Sequence, residues 1–278
     1  MNNKEIIDPK IMQNEFDEND GIPVNYRFIA ANWKYRFDLA DKWQGRKDLP
    51  YITSPETWFA QCPPKKKEFQ WKDGRSAKEF ARYMTKKYAG STEITFPYEI
   101  RCVLGRHTNE QEFDLYPEKV TDFPLCPFGK GEGRNHDALV FGSNIAMGIE
   151  AKADEPFDRQ YKDIEIYDTP NHRLRYVNSY HAIFGEDAEI DGEIYYQLVS
   201  ASLGTLIEAK RAGCDKAVLL IVTLLKDGCY SEENVIRNKN AVALFKSKLK
   251  VGECGKLHTQ YSDLYDIDFY IEEVMVRV

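Results

Sequence analysis

Glu150-Ala151-Lys152 closes an apolar run, Ile145 to Lys152, that has the length and composition of a β-strand. Side chains on a strand alternate between its faces, so Glu150 and Lys152 point the same way. A second apolar run, His136 to Phe141, precedes it, and Gly142-Ser143-Asn144 between them reads as a tight turn. Asp137 stands thirteen residues before Glu150 with the turn near the midpoint. Folding this hairpin brings Asp137 close to Glu150, and two carboxylates and one ammonium then share one end of a sheet. Two neighbouring acids repel and so favour a cation. Oxygen ligands select a hard one, Mg2+ first and Mn2+ next. Such an ion lowers the pKa of bound water and polarises a phosphoryl oxygen, and Lys152 would stand beside that water to orient or deprotonate it. This is machinery for phosphodiester hydrolysis. The alternative for the same residues is a salt-bridged strand end, Glu150 to Lys152, with Asp137 as a turn acid.

The pattern Asp/Glu-x-Lys occurs three times, at Asp8-Pro9-Lys10, Glu150-Ala151-Lys152 and Glu208-Ala209-Lys210. The first lies in a polar, acidic N-terminal stretch. The third falls on an expected helix, where positions i and i+2 are about 200° apart and cannot share a site. Only the middle one combines a strand with an upstream acid on a paired strand.

The elements that must position these residues follow from periodicity. Ser76 to Tyr88 reads as a helix, with Ser76 as N-cap and Glu79 at the capping-box spacing. Glu93 to Val103 and Phe113 to Val120 read as strands, the second interrupted by Pro117. Leu125 to Arg134, with Gly129, Gly131 and Gly133, is a connection and not a phosphate loop, because no Gly-Lys-Ser/Thr follows. After the hairpin come a helix over Leu174 to Phe184, a long helix over Glu193 to Arg211 ended by Gly213, and a strand over Ala217 to Leu225. That strand's unbroken apolar run fits burial on both faces. A helix over Ser231 to Leu249 and a last strand over Ile267 to Val278 complete the order. The expected fold is α/β, with helices packed on a mixed central sheet.

The chain has 278 residues, enough for one large domain or two small ones with a full core. Its hydrophobic share is 42% and its charged share 30%, which excludes disordered and collagen-like classes. The net charge of −7 is unlike a small basic nucleic-acid module, though a local basic groove fits on an acidic body. The six cysteines show no C-x-x-C pair, so zinc-ribbon spacing is absent and reduced thiols are expected. The five histidines show no metal spacing; His136 stands out only because it adjoins Asp137. No run approaches the roughly 18 apolar residues of a membrane span, and the first residues carry no apolar signal core. The expectation is a cytoplasmic protein with no membrane partner.

The chain resembles the PD-(D/E)XK, or restriction-endonuclease-like, nuclease superfamily. Its signature is an acid on one strand and Glu-x-Lys on the next, matched here by Asp137 and Glu150-Ala151-Lys152. More narrowly, the chain is similar to an uncharacterised bacterial family within it. The matching pieces are Gly74-Arg75-Ser76-Ala77, Glu155-Pro156-Phe157, Tyr196-Gln197-Leu198 and Leu206-Ile207-Glu208-Ala209. His136 stands where the superfamily often has proline. The resemblance implies a restriction-endonuclease-like αβββαβ core over residues 50–278, with residues 1–49 as an N-terminal tail and elaboration. It implies Asp137, Glu150 and the Ala151 carbonyl as metal ligands, Lys152 as a catalytic residue, and Gln197 near the site. Glu155 and Glu79 would be further acids near the metal. The bland readings are that Gln197 pairs with backbone, Glu155 pairs with Arg159, and Glu79 completes the capping box.

The leading function is thus Mg2+- or Mn2+-dependent cleavage of nucleic acid, DNA by expectation. Lys65, Lys66, Lys67, Arg82, Lys86 and Lys87 are candidates for contacting the backbone. The alternative is a non-cleaving nucleic-acid-binding or regulatory protein on the same fold. A third reading gives the aromatic-rich segment Tyr26 to Leu49 a partner-binding role, as in a homodimer.

Overall fold

The computed structural model describes residues 52–86, 96–110, 113–121, 123, 133–166, 170–185, 187–249 and 267–278. The N-terminal elaboration, the boundary near residue 50, Lys87, Gly129, Gly131, Cys126, Cys254 and His258 lie outside them.

Helix α1 (Pro55–Gln61) starts at Ser54, whose hydroxyl accepts from the Thr57 N–H while the Thr57 hydroxyl accepts from the Ser54 N–H. A 3-10 turn (Lys67–Phe69) leads to α2 (Ser76–Met84) and α3 (Tyr98–His107). Strand β1 (Asp114–Pro117) is followed by the short pair β2 (Val120–Thr121) and β3 (Arg134–Asn135), which form a separate two-stranded sheet. The hairpin β4 (Ala138–Phe141) and β5 (Ile145–Lys152) comes next. Then follow α4 (Pro170–Phe184), α5 (Tyr196–Ala212), β6 (Lys216–Leu225), α6 (Glu232–Lys248) and β7 (Asp268–Arg277).

The central sheet has the order β1-β4-β5-β6-β7. Its β1-β4 and β4-β5 pairs are antiparallel and its β5-β6 and β6-β7 pairs parallel. This is the mixed α/β sheet with flanking helices that the patterning implies. Alternation along the strands sorts the core into two layers. Met147, Ile149, Val218, Leu220 and Val222 pack with Trp58, Phe80 and Leu104 from α1, α2 and α3. Ala146, Leu219, Ile221 and Phe269 pack on the other face with Leu203, Leu206 and Phe245 from α5 and α6. Strand β6 is apolar on both sides because both layers bury it.

Helix α5 lies close on the sheet. Leu198 through Ala209 are all buried, so its interior contacts need small residues. A Cβ on Gly148 of β5 would collide with the Thr205 hydroxyl, and one on Gly204 would lie 2.6 Å from His136 Nε2.

Three expectations are corrected. Residues 98–107 are a helix and not a strand: Pro97 supplies the N-cap and Ile100, Val103, Leu104 and His107 make a buried stripe at helical spacing. Ser76 is not the cap of α2. Arg75 holds that position with no side-chain cap, and the Glu79 carboxylate accepts instead from the Gly74 N–H at 2.8 Å. The expected strand Phe113 to Val120 is divided: Asp114–Pro117 joins the central sheet and Val120 the small one, with Glu118 turning the chain between them at φ +51°. The other helices and strands fall within a few residues of their expected bounds.

Candidate active site

The hairpin register decides the geometry. Ala138 pairs with Ile149, so β4 ends one residue short of Glu150 and Asp137 is left beside it. With no β4 residue opposite, the Ala151 N–H needs another acceptor. The Asp137 carboxylate supplies it, accepting through Oδ2 at 2.7 Å. Asp137 therefore extends the β4-β5 ladder past its last backbone pair and faces the end of β5.

Glu150 and Lys152 emerge on the α5 side of the sheet. Lys152 Nζ lies 3.0 Å from Glu150 Oε1, and both side chains are nearly buried. Gln197, in the first turn of α5, donates to the same oxygen and accepts from the Asp158 N–H at 2.9 Å. Arg134 on β3 pairs with Glu150 Oε2. The Phe157 ring covers Lys152 Nζ at 5.3 Å.

The loop after β5 is pinned from α6. Asn238 accepts from the Phe157 N–H and donates to the Glu155 carbonyl, while Asp154 accepts from the Ser231 N–H at 2.6 Å. This fixes Glu155, whose Oε1 accepts from both the hydroxyl and the N–H of Ser76. The partner of Glu155 is thus the start of α2, where the alternative reading had Arg159. Glu155 Oε2 is buried with no hydrogen-bond partner.

These groups line one cleft of about 690 Å³, which also takes in Lys65, Lys66, Phe69, Arg75, Glu118, Asp158 and Arg175. Asp137, Glu150, Lys152, Glu155 and Gln197 all meet there. Glu79 does not: in the first turn of α2 it is held by Arg82 at 2.8 Å and Lys226 at 2.9 Å, outside the cleft lining. Arg82 is likewise engaged, with Asp73 and Glu79.

Electrostatics in the cleft are crowded. Burial pushes the Asp137 carboxyl above its ordinary pKa, against the pull of Lys152, the Ala151 N–H and Arg134. Burial, followed by the Asp137 charge, pushes Glu118 up to about 8. Burial also lowers the Lys152 pKa, opposed by Asp137 and Glu155. His136 takes no part. It is wholly buried, neither ring nitrogen has a hydrogen-bond partner, and burial holds its pKa well below the ordinary value. It is a neutral core residue beside Gly204.

Among the described residues no three His, Cys, Asp or Glu side chains form a ready-made cage. The donor set still fits a hard cation of the Mg2+ kind, which takes one or two carboxylates and keeps several waters. Asp137 and Glu150 provide carboxylates at neighbouring strand ends, Ala151 provides a backbone carbonyl, and the unpartnered Glu155 Oε2 adds an oxygen in the same cleft. Arg134 now holds one Glu150 oxygen and would have to yield it.

Arg134 and Glu118 are the site residues that the sequence concealed. Arg134 sits on a strand of two residues, too short for any alternation to register. Glu118 follows Pro117 at φ +51°, a left-handed turn residue whose Oε2 accepts from Asn135 Nδ2 at 2.8 Å.

No described helix is long and apolar enough to cross a membrane. No curated protein and no solved structure matches the chain. Over residues 51–270 the sequence matches the model of a family described as a domain of unknown function, DUF6946, and by that coverage the chain belongs to this family.

Proposed function

We propose that the chain is a metal-dependent phosphodiesterase that cleaves nucleic acid, with DNA as the expected substrate, in the manner of the PD-(D/E)XK nucleases it resembles. The observation that carries this reading is the register that sets Asp137 beside Glu150 with Lys152 on the same face. Asp137, Glu150 and the Ala151 carbonyl would hold Mg2+ or Mn2+. When bound, such an ion supplies an activated water and neutralises charge on the phosphoryl group.

The chain's own groups do the rest. Lys152, fixed between Glu150 and the Phe157 ring, presents an ammonium at the cleft floor, where it orients the attacking water and offsets charge building on the phosphate. Gln197 is a positioning residue: it holds Glu150 through Nε2 and is itself held by the Asp158 N–H. Arg134, once displaced from Glu150, is placed to pair with a phosphate oxygen.

A second reading is a non-cleaving nucleic-acid-binding or regulatory protein. The Arg134–Glu150 pair favours it, because the guanidinium already neutralises the carboxylate that an ion would use. Incubation of supercoiled plasmid with Mg2+ or Mn2+ separates the two. Nicking by the wild type that Lys152→Ala and Asp137→Asn both abolish supports the enzyme. Nicking that survives in both variants contradicts this site, and no cleavage together with no metal binding supports the second reading.

A further inference from the structure

Phe69 is the most exposed large hydrophobic side chain among the described residues, at 66% of its full surface. It stands on the 3-10 turn at the rim of the cleft, with its ring part of the cleft wall. The turn is firmly built. The Lys67 N–H donates to the Pro64 carbonyl at 2.7 Å, and the Lys66 N–H donates to Gln70 Oε1 at 2.8 Å. Trp71 ties its far end to Phe59 of α1, ring centroids 4.9 Å apart. Lys67 adopts φ +45°, in the left-handed region that a residue with a Cβ disfavours. A turn held in a disfavoured backbone conformation thus presents an aromatic ring to solvent beside a charged cleft.

The surroundings of the ring indicate which ligand. Lys65, Lys66 and Arg75 line the same cleft, and Lys72 Nζ sits 5.0 Å from the ring centroid. The matching molecule carries repeated negative charge and flat π-faces. A single nucleic-acid strand has both, whereas a duplex keeps its base faces stacked inside. Phe69 also lines the same cleft as Lys152, which a strand can follow inward and a flat lipid surface cannot.

We propose that Phe69 is a stacking platform for an unpaired base, with the strand's backbone running over Lys65, Lys66 and Arg75 toward Lys152. This rests on the nucleic-acid reading above and narrows its substrate to single-stranded or frayed nucleic acid.

Fluorescence anisotropy with a labelled oligothymidylate and a duplex of equal length tests it. EDTA is kept present, so that binding is read apart from cutting. The single strand binds more tightly than the duplex. Phe69→Ala weakens single-strand binding about tenfold and leaves duplex binding unchanged, and Phe69→Trp restores it. Lys66→Ala weakens both and lowers the salt slope by about 0.7 on the single strand. Duplex bound as well as single strand, no effect of Phe69→Ala, or Phe69-dependent binding to phosphatidylserine vesicles in place of the oligonucleotide would each overturn the proposal. Metal-dependent cutting without strand preference sinks this inference and leaves the nuclease reading intact. Phe69-dependent binding of a strand by a protein that cuts neither it nor the supercoiled plasmid and binds no metal upholds it and sinks the nuclease reading.

Discussion

The Asp137 carboxylate accepts the Ala151 N–H at 2.7 Å, at the place where β4 has run out beside β5. One side chain thus caps the end of the β4-β5 ladder and offers a carboxylate to the cleft. The two roles separate by substitution. Asp137→Asn keeps an acceptor for the Ala151 N–H and removes the charge; its thermal midpoint should stay near that of the wild type while metal binding is lost. Asp137→Ala leaves the N–H without its partner and should cost about 1–3 kcal/mol. Denaturant midpoints of the three proteins, set against Mn2+ titrations, show whether the roles divide in this way.

Gly148→Ala should destabilise the protein by about 1–3 kcal/mol, because its Cβ meets the Thr205 hydroxyl and α5 must move off the sheet. Gln197 rides on the same helix, so Glu150 also loses its orientation. The double variant Gly148→Ala/Thr205→Ala, which removes the obstructing hydroxyl, should recover part of the loss in a urea melt.

Acid should weaken the junction between α2 and β6. Burial pushes Glu79 up, but the Gly74 N–H, Lys226 and Arg82 outweigh it and hold its pKa below the ordinary 4.5. The hydrogen bond from Lys78 and the Arg82 charge bring neighbouring Asp73 from 3.8 to about 2. A carboxyl whose folded pKa is depressed stabilises the fold above its unfolded value and loses that contribution as pH falls through the folded one. Stability should therefore drop between roughly pH 4.5 and 2. Urea midpoints at neutral pH and at the acid end of that window should show Glu79→Gln less stable than wild type at the first and nearly equal at the second. A gap that stays constant with pH would show that Glu79 contributes by shape and not by charge.

The hairpin and its three ionisable groups were legible because strand alternation and turn placement are local facts, and the tight turn, closed by the Gly142 N–H on the Ile145 carbonyl, sets the register that pairs Ala138 with Ile149. Helix α3 was not. Ile94, Thr95, Phe96 and Tyr98 favour a strand locally, and only the packing of Ile100, Val103 and Leu104 against the sheet selects the helix. Glu79 carries a capping-box spacing, yet it reaches past Ser76 to Gly74 because Lys226 from the distant β6 end draws it there. Arg134 enters the cleft from a two-residue strand whose position depends on β2, and no sequence pattern of its own announces it.

On the proposed function, Asp137 and Glu150 share one divalent ion. Anomalous diffraction from a crystal of the wild-type protein soaked in Mn2+ tests it most directly. The expected map has a single strong peak within coordinating distance of both carboxylates and the Ala151 carbonyl, with the Arg134 guanidinium moved off Glu150. Ordered Asp137 and Glu150 with Arg134 still in place, and no peak between them at saturating Mn2+, would rule out a shared ion at this site.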